Sequence, residues 1–468
     1  MKRTWLTVAI FIVSISVFAF RTPSRLAADQ IPTAGTDTVP AAGAELTTGT
    51  ADVTASLPDL TDAQTRFKNR DFDGALKLLK EAVKKNADLP PANVVMAQWF
   101  AQNNLVQAMR GALERAILDS PDDPEGYLFL GNIAINERRI TEAAMLYEKA
   151  NSLMEKMVSE KRREILRPQV YQGLAITNQA REKWETAKSF LDLWLQLKPD
   201  SLQALQQLVQ CELQMGKQED ALVLLKKIAK LDKDALPPDT AMFRFFAQTE
   251  KARSKANTKK WLAAALTAAP QDIKTQLLAA QWNWEMGKYN EAEKHATAAR
   301  EIDKSSVDAN VLSGVIALFR KDYKTAEGFF EAAHLLAPTN FAASNNLALA
   351  LIEQGSLEKD EAKKQRALQY AEANARANQK SAEAASTYGW ILFKLGRYNE
   401  AEEALRAAVS SGSFTPEMAY YLATVLTLNK RSTEEDNAKR LLEAALQSTA
   451  PFAQRDEAQK LLDDLNKK

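Results

Sequence analysis

An alanine that recurs at a constant interval limits the folds open to this chain more than any other feature of its sequence. The interval is about 34 residues and holds at a series of positions, one of them occupied by methionine: Ala75, Met109 and Ala143; Ala187 and Ala221; Ala292 and Ala326; Ala367 and Ala401. A constant interval of this length is typical of a repeat array, in which each unit is one supersecondary structure stacked on the next. Four intervals are longer, and we expect a loop or a helix extension in each: Ala143 to Ala187, Ala221 to Thr258, Ala326 to Ala367, and Ala401 to Ala438.

Three short segments mark a junction inside the unit. Each holds an apolar residue, a glycine, a basic or polar stretch with a turn, and then the alanine that opens the next helix. The segments are Met215–Ala221, Met286–Ala292 and Leu395–Ala401. The pattern predicts two helices joined by a turn in each unit.

The sequence resembles the tetratricopeptide repeat family over residues 59 to 451. That motif places a large residue, Leu-Gly and an aromatic or apolar residue in one helix, and Ala, a large apolar residue, Ala and Pro in the next. Four repeats fill most of these places: Tyr127, Leu130, Gly131, Ala143, Tyr147 and Ala150; Tyr171, Leu174, Trp184, Ala187, Leu191 and Pro199; Asn310, Gly314, Tyr323, Ala326, Phe330, Ala333 and Pro338; Tyr388, Gly389, Leu392, Tyr398, Ala401, Leu405 and Ala408. The resemblance implies an all-α fold, a solenoid in which antiparallel helix pairs wind into a right-handed superhelix.

Small residues in this motif let the two helices of a pair approach. Gly389 in the first helix and Ala401 in the second are an example, and Leu405 is predicted to fill the space towards the next unit. One pair cannot bury its own apolar face, so the pairs must stack. We therefore expect about eleven repeats over residues 59–451 and a capping helix over 452–468, with Leu461, Leu462 and Leu465 facing inward.

Two repeats match poorly. The first, over residues 59–91, has Ala63 and Arg66 where glycine and an aromatic residue are expected. The sixth, over residues 239–270, crowds three phenylalanines into its first helix: Phe243, Phe245 and Phe246. We expect these rings to plug an irregular junction between stacked units, with an apolar docking spot as the alternative.

Residues 1–28 read as a targeting segment. Basic Lys2 and Arg3 precede an apolar run, residues 5–20, which is shorter than the usual membrane-spanning helix. Both a cleaved signal peptide and a retained signal anchor fit this pattern. The next segment, residues 29–58, is rich in Ala, Thr, Gly, Pro and Asp and predicts a flexible linker. We expect an exported, periplasmic or cell-envelope protein that residues 5–20 tether to the cytoplasmic membrane if they are retained; the side of the membrane stays open.

The balance of charges argues against nucleic-acid binding, and the lack of catalytic motifs argues against enzyme activity. The 61 basic side chains are balanced by 60 acidic ones, so no bulk positive field is available for nucleic acid. We find no phosphate-binding glycine loop, no nucleophile elbow and no zinc-protease helix. His295 and His334 lie in the second helices of neighbouring units, and Cys211 reads as a small core residue. We expect no enzyme activity, no cofactor and no metal.

The family resemblance implies that an extended peptide or partner helix lies on the first helices, in a concave groove. Carried over by position, the groove candidates are Gln169, Gln172, Gln203, Gln206, Gln210, Gln281, Trp284, Asn345, Trp390, Phe393 and Lys394. Further places fall on Ile176, Gln179, Gln214, Lys274, Glu285, Glu353, Glu383 and Ser386. Glutamine amides donate and accept, so they suit a peptide backbone. Trp390 and Phe393 are predicted as an apolar anchor, with packing between units as the alternative.

Members of the family that bind chaperone tails clamp a carboxylate with lysine, asparagine and arginine at set groove places. No lysine stands at the fifth places here, which are Leu128, Gln172, Gln206, Leu277, Val311, Asn345 and Ser386. A chaperone-tail partner is therefore not predicted. We expect a scaffold for an envelope assembly, secretion or surface-building complex, and keep as the alternative a non-catalytic accessory subunit of a glycan- or lipid-modifying envelope enzyme.

Overall fold

The structure is a computed structural model, and it describes residues 58–249, 256–410, 414–428 and 434–467. The predicted targeting segment, residues 1–28, and all but the last residue of the predicted linker, residues 29–58, lie outside these ranges. None of the described helices is both long enough and apolar enough to cross a membrane.

The described residues form 23 α-helices and no strand. The helices are α1 Pro58–Lys68, α2 Phe72–Lys85, α3 Ala92–Gln102, α4 Val106–Asp119, α5 Pro124–Asn136, α6 Ile140–Leu153, α7 Glu160–Ala180, α8 Trp184–Leu197, α9 Leu202–Gln214, α10 Gln218–Leu231, α11 Pro238–Thr249, α12 Ala256–Ala268, α13 Ile273–Glu285, α14 Tyr289–Ile302, α15 Val307–Phe319, α16 Tyr323–Leu336, α17 Phe341–Glu358, α18 Glu361–Ala377, α19 Ala382–Lys394, α20 Tyr398–Ser410, α21 Pro416–Leu428, α22 Glu435–Gln447 and α23 Arg455–Asn466. This confirms the predicted all-α solenoid of stacked helix pairs.

The helices pair along the chain. Odd-numbered helices are called here A helices and even-numbered helices B helices, and the A helix packs on the following B helix in the pairs α1–α2, α3–α4, α5–α6, α7–α8, α9–α10, α13–α14, α15–α16, α17–α18, α19–α20 and α21–α22. The chain divides into two compact units. The first comprises residues 58–238 with α1 to α10, and the second comprises residues 239–467 with the remaining helices. Within each unit, a B helix also packs on the next A helix, so apolar side chains of neighbouring pairs share continuous cores.

Side-chain caps define where many A helices begin. A short polar residue accepts a hydrogen bond from the backbone N–H of the helix's first turn, which satisfies a donor that has no partner inside the helix. The capping residues of these A helices are Asp123, Ser159, Ser201, Asp272, Ser306, Asn340 and Ser381. These caps place each A helix at the same point of its repeat.

A residue in the left-handed conformation turns the chain from many A helices into the B helix. Glycine takes this place in the three segments singled out from the sequence, at Gly216, Gly287 and Gly396. At Gly216 the next residue, Lys217, donates its backbone N–H to the carbonyl oxygen of Glu212 at 2.8 Å. The same turn is made elsewhere without glycine, by Arg70, Asn104, Arg138, Glu182, Lys321 and Lys359.

Glycine in the A helix permits a close approach of the B helix. A Cβ atom on Gly389 would lie 2.7 Å from Cγ of Leu405, closer than such atoms can pack, and 3.2 Å from the backbone oxygen of Ala401, which is a tight contact. Both Leu405 and Ala401 are fully buried. The close approach of the two helices that the sequence predicted at Gly389 and Ala401 is present, and Leu405 packs against Gly389 within the same pair.

Helix extensions account for two of the longer intervals. Between Ala143 and Ala187 the chain adds a 3-10 turn, Met154–Lys156, and α7 has 21 residues. Between Ala326 and Ala367, α17 and α18 have 18 and 17 residues. In both extended pairs the A helix still packs on the B helix despite the added turns.

Both ends of the second unit are closed by apolar side chains. In α11, Phe243 and Phe245 are buried, and Phe243 meets the ring of Trp282 edge-on at 6.1 Å. These two phenylalanines fill the core rather than offering a docking spot. In α23, Leu462 and Leu465 are buried against the core of the preceding pairs.

Exchanging residues at the left-handed turn position tests this account. Gly216→Ala forces a Cβ onto a backbone with φ +78° and should lower the free energy of unfolding by about 1 kcal/mol. Glu182 holds φ +58° at the same point of another pair, and Glu182→Gly should raise that free energy by about 0.5 kcal/mol, because relief of strain exceeds the added chain entropy. Urea titration measures both changes; a loss of stability in Glu182→Gly would contradict the assignment.

Candidate functional site

The eleven side chains predicted to line a groove all lie on A helices, and they divide between the two units. In the first unit, Gln169 and Gln172 lie on α7, and Gln203, Gln206 and Gln210 on α9. In the second unit, Gln281 and Trp284 lie on α13, Asn345 on α17, and Trp390, Phe393 and Lys394 on α19. Their burial and bonding differ, and this decides which of them can meet a partner.

The glutamines of the first unit form a partly accessible polar surface. Gln172 and Gln206 are partly buried, hold equivalent positions on neighbouring A helices, and make no hydrogen bond to the described residues. Gln203 is exposed, and Gln169 bonds back to the carbonyl oxygen of Ile165 at 3.4 Å. Gln210 is only 4% exposed. Its side chain is therefore part of the packing, and the groove prediction fits Gln172, Gln203 and Gln206 better.

A neighbouring glutamine, Gln179, is already used inside the protein. Its Nε2 donates to the carbonyl oxygen of Gln207 at 3.2 Å and lies 3.2 Å from Sγ of Cys211. Cys211 is fully buried, and burial raises the pKa of its thiol. A neutral, enclosed thiol is a poor nucleophile, so the cysteine serves as the core residue that the sequence predicted.

A buried ion pair that the sequence reading missed joins α5 to α7. Nη2 of Arg162 lies 2.6 Å from Oε2 of Glu125, and Nη1 lies 2.8 Å from Oδ2 of Asp123. Burial raises the pKa of Glu125, and the charge of Arg162 opposes that shift. The guanidinium satisfies both carboxylates, so this cluster fixes two neighbouring A helices and leaves no open binding position.

Trp390 is enclosed by its own protein. Its side chain is 4% exposed, stacks on Tyr421 at 4.1 Å between ring centroids, and contacts Phe393 at 5.0 Å. Its indole N–H donates to Oε1 of Glu353 at 2.7 Å. The prediction that Trp390 anchors a partner does not fit this environment, because neighbouring A helices already cover both its ring and its polar atom.

Lys394 takes part in the same cluster. Its ammonium group donates to Oε2 of Glu353 at 2.9 Å and lies 4.8 Å from the ring centroid of Trp390. Each oxygen of Glu353 thus receives one hydrogen bond from α19. The lysine balances the charge of this carboxylate and holds α17 against α19, which leaves it little capacity to recognise a partner.

Trp284 retains accessible ring surface. It is partly buried and lies edge-on to Tyr289 at 5.2 Å and to Phe319 at 4.9 Å, and both of these rings are partly buried as well. Gln281, one turn earlier on α13, bonds to Oε1 of the exposed Glu285 at 3.2 Å. The three rings contact one another and are each partly buried, so this aromatic cluster combines internal support with some exposed surface, as an apolar anchor requires.

The capping helix reaches a pair that lies far earlier in the second unit. Lys321, at the turn before α16, is bonded to Glu457 of α23. Tyr323 lies nearby, and burial together with the charges of Glu353 and Glu457 raises the pKa of its hydroxyl. This contact ties the capping helix to the turn at the carboxyl-terminal end of one A helix, α15, whereas other polar side chains lie at the amino-terminal ends of later A helices.

At those amino-terminal ends lies a row of polar side chains on three successive A helices: Asn345, Glu383 and Glu417. We call it the carboxyl row. Nδ2 of Asn345 is 3.4 Å from Oε1 of Glu383. Burial, and then the charge of Glu417, raises the pKa of Glu383 to about 7. Burial also raises the pKa of Glu417 to about 7, although hydrogen bonds from its own backbone N–H and from Thr415, and the charge of Arg455, act against the shift.

Sequence reasoning placed Asn345 and Glu383 in the groove and missed Glu417. The signal was present, since Glu383 and Glu417 are one repeat interval apart and each stands one residue after the first residue of its helix. Equivalent positions of neighbouring repeats lie side by side when the pairs stack. The loss of solvent around the two carboxyls depends on side chains of several repeats and could not be read from either segment.

The histidines do not form a shared site. Nδ1 of His295 lies 2.8 Å from Oε1 of Gln276, and the ring of His334 packs edge-on against Tyr370 at 5.2 Å. Among the residues that the structure describes, no group of histidine, cysteine, aspartate and glutamate side chains has a metal-binding arrangement.

Comparison with known proteins gives one family match. The family model of the tetratricopeptide repeat matches residues 388–451, from within α19 to just beyond α22. No curated protein matches the chain.

Several solved structures are similar to the chain at low identity. Yeast Tom70 is 13% identical with a TM-score of 0.35, over 87% of this chain and 94% of that one. TTC0263, a thermophilic tetratricopeptide repeat protein of Thermus thermophilus, is 17% identical with a TM-score of 0.36, over 42% of this chain and 100% of that one. A tetratricopeptide repeat protein from Parabacteroides merdae is 11% identical with a TM-score of 0.37, over 64% of this chain and 99% of that one. At these scores the fold assignment rests on the helix pairs themselves and on the family match.

Replacing Glu383 by glutamine tests the desolvation of the carboxyl row. The folded protein holds a proton on this group up to about pH 7, whereas the group's ordinary pKa is 4.5. The carboxyl therefore lowers stability increasingly as the pH rises through this window. Glu383→Gln should raise the free energy of unfolding by roughly 1–3 kcal/mol at pH 8, and the gain should vanish below pH 4.5, where the carboxyl is neutral in both states.

Urea titrations at pH 8 and pH 4 measure this difference. The matched control is Glu403→Gln, on the exposed side of α20, which should give no pH-dependent gain. An equal gain from Glu383→Gln at both pH values would show that the effect does not come from ionisation.

Proposed function

Because the chain is a tetratricopeptide repeat protein, and its repeats are a scaffold for protein–protein interaction, we propose that it holds protein partners of an envelope assembly, secretion or surface-building complex on its A-helix faces. In this proposal the chain is exported or tethered to the membrane by its amino-terminal segment. The basic residues Lys2 and Arg3, the apolar run over residues 5–20 and the polar segment over residues 29–58 support it.

The observation that carries the binding proposal is the pair of unoccupied amides on neighbouring A helices, Gln172 and Gln206. Both side chains are partly buried, so their positions are restricted, and neither amide has a partner in the described part of the chain. Each amide can donate and accept at once, which matches the alternating N–H and C=O groups of an extended peptide. An extended segment of a partner protein is the ligand that uses both.

The aromatic cluster of Trp284, Tyr289 and Phe319 supports the same proposal in the second unit. A partly accessible indole backed by two other rings offers apolar surface that is already held in place. Binding therefore costs little additional side-chain conformational entropy at the indole. Aromatic anchors of this kind contribute much of the binding energy of protein interfaces. A partner would therefore place an apolar side chain against Trp284.

Crosslinking in intact cells, followed by purification and identification of the attached proteins, tests this assignment. Gln172→Ala with Gln206→Ala should reduce capture through the first unit, and Trp284→Ala should reduce capture through the second, each by about tenfold if the contact contributes about 1.4 kcal/mol. The matched controls lie on B helices: exposed Gln196→Ala for the amides, and Leu335→Ala, at 80% exposure, for the apolar residue.

The pattern of losses decides the assignment. Equal capture by all variants would remove the A-helix faces from the interaction, and a loss confined to the B-helix controls would move the binding surface to the other side of the pairs. Trp390→Ala is unsuitable for this test, because its buried ring supports the fold. Capture of a glycan- or lipid-modifying enzyme as the main partner would favour the accessory-subunit role.

The location is tested by a phosphatase reporter fused to the carboxyl terminus, which is active only outside the cytoplasm. We expect activity with the natural amino terminus and none after deletion of residues 5–20, because that run is the only segment of signal character in the sequence. The mass of the mature protein then separates cleavage from retention. An inactive reporter on a membrane-bound chain would place the repeats in the cytoplasm.

A further inference from the structure

We propose that the carboxyl row, formed by Asn345, Glu383 and Glu417, binds a lysine or arginine side chain of a partner protein. This inference rests on the proposed function, because it gives the chemistry of a partner that lies on the A-helix surface of the second unit. It adds the requirement that the bound segment carries a positive charge, which the family resemblance does not imply.

The three side chains lie on successive A helices, α17, α19 and α21, and the charge of Glu417 acts on Glu383. Asn345 is 1% exposed, and its Nδ2 faces Oε1 of Glu383 at 3.4 Å. Its other polar atom, Oδ1, is buried and accepts no hydrogen bond from any described residue. A buried carbonyl oxygen without a donor is costly, and this one belongs to the side chain that contacts the carboxyl of Glu383. The amide oxygen of Asn345 and the carboxyl oxygens of Glu383 can therefore accept further hydrogen bonds.

Few charged groups of the protein face the row. Arg455, on α23, is the cation that acts on Glu417. Its guanidinium already donates to the carbonyl oxygens of Leu446, at 2.8 Å, and Ser448. Tyr421 is fully buried nearby, and burial raises the pKa of its hydroxyl, so it is neutral over the physiological pH range. Among the described residues, Glu383 has no cation beside it, and the nearest charge that acts on it is that of Glu417.

The chemistry of the row selects its ligand. Two carboxylates and an amide oxygen repel an anion and offer nothing to a donor-free apolar group. A lysine ammonium has three donors and an arginine guanidinium five, and neither can accept. Bonds between such cations and carboxylates are the stronger class of hydrogen bond, more so where water is partly excluded. A bound metal ion would need further ligands that the described residues do not provide.

The contrast with other buried carboxylates of the same protein supports this choice. Glu125 has Arg162, Glu212 has Lys188, and Glu353 has both Lys394 and the indole N–H of Trp390. The carboxyls of Glu383 and Glu417 belong to partly buried residues, and neither forms an ion pair with a described residue. A basic side chain from outside would complete the row in the way that these internal cations complete the other sites.

Binding should depend on pH in a defined direction. The row attracts a cation only when its carboxyls are ionised, and burial together with their mutual repulsion raises their pKa, which keeps protons on them to higher pH than usual. Affinity for a basic segment should therefore be greatest near pH 8 and fall as the pH drops through 7. Binding at pH 7 should release protons, because the arriving cation favours the ionised form.

A phage-displayed library of random dodecapeptides, selected on the purified full-length chain at pH 8, tests the proposal. We expect recovery of peptides enriched in lysine or arginine. A synthetic copy of a recovered peptide should bind at least tenfold more weakly at pH 6 than at pH 8. Glu383→Gln with Glu417→Gln should weaken binding at pH 8 by at least tenfold and abolish the pH dependence.

The control variant is Glu403→Gln with Glu443→Gln, two exposed glutamates on B helices. It makes the same change in net charge and should leave affinity and pH dependence unaltered. Equal losses in the two double variants would show a general charge effect and overturn the carboxyl row as the site. The glutamine variants are expected to fold, since the substitution relieves an unfavourable charge, and circular dichroism verifies this.

The remaining outcomes separate this inference from the proposed function. Recovered peptides without basic residues, whose binding is lost in Trp284→Ala or in Gln172→Ala with Gln206→Ala, would support the A-helix faces as a binding surface and overturn the charge requirement. Recovery of no peptide above the background of an unrelated helical protein would overturn both.

Discussion

The contact between a small residue on most B helices and the paired A helix is the constraint on which the rest of the structure depends. The alanines that mark the repeat interval are fully buried in every pair where they occur, and the two substitutes are buried as well: Met109 at 5% and Thr258 at 1% exposure. A larger side chain would push the two helices apart. Because a pair buries its apolar side only against its neighbours, a shift in one pair would spread to the next along the stack.

This constraint also explains which parts of the structure could be predicted. The alanine interval depends on backbone approach and is visible in the sequence, so the helix pairs and their order followed from it. The turn between A and B helices was less visible. It requires a left-handed residue, which glycine marks at Gly216, but Glu182 and Lys321 make the same turn at some cost in strain. The stacked neighbours tolerate these residues because packing determines the turn more than its own sequence does.

Side-chain environments were predicted less well, since they depend on three or more repeats at once. Trp390 stands at a groove position of its own helix, yet Tyr421 from the next A helix covers its ring and Glu353 from the previous one binds its N–H. No single repeat contains this information. Trp284 has the same residue type on an equivalent surface and is only partly buried, although the rings of Tyr289 and Phe319 contact it.

The carboxyl row follows from the same geometry. Stacking brings equivalent positions of neighbouring A helices together, so two glutamates one repeat apart become adjacent charges in a place that the surrounding side chains keep partly dry. In a chain selected for stability alone, a lysine or a neutral residue at one of the two positions would remove this repulsion, as Arg162 does for Glu125. Since stability in such a stack is nearly a sum over neighbouring pairs, the cost stays local to α17, α19 and α21. A repeat protein can therefore hold an unfavourable charge arrangement at one place on its A-helix surface while the other pairs maintain the fold. A basic side chain of a partner would pair with the carboxyls at that place and supply the favourable charge interaction that the chain itself does not make.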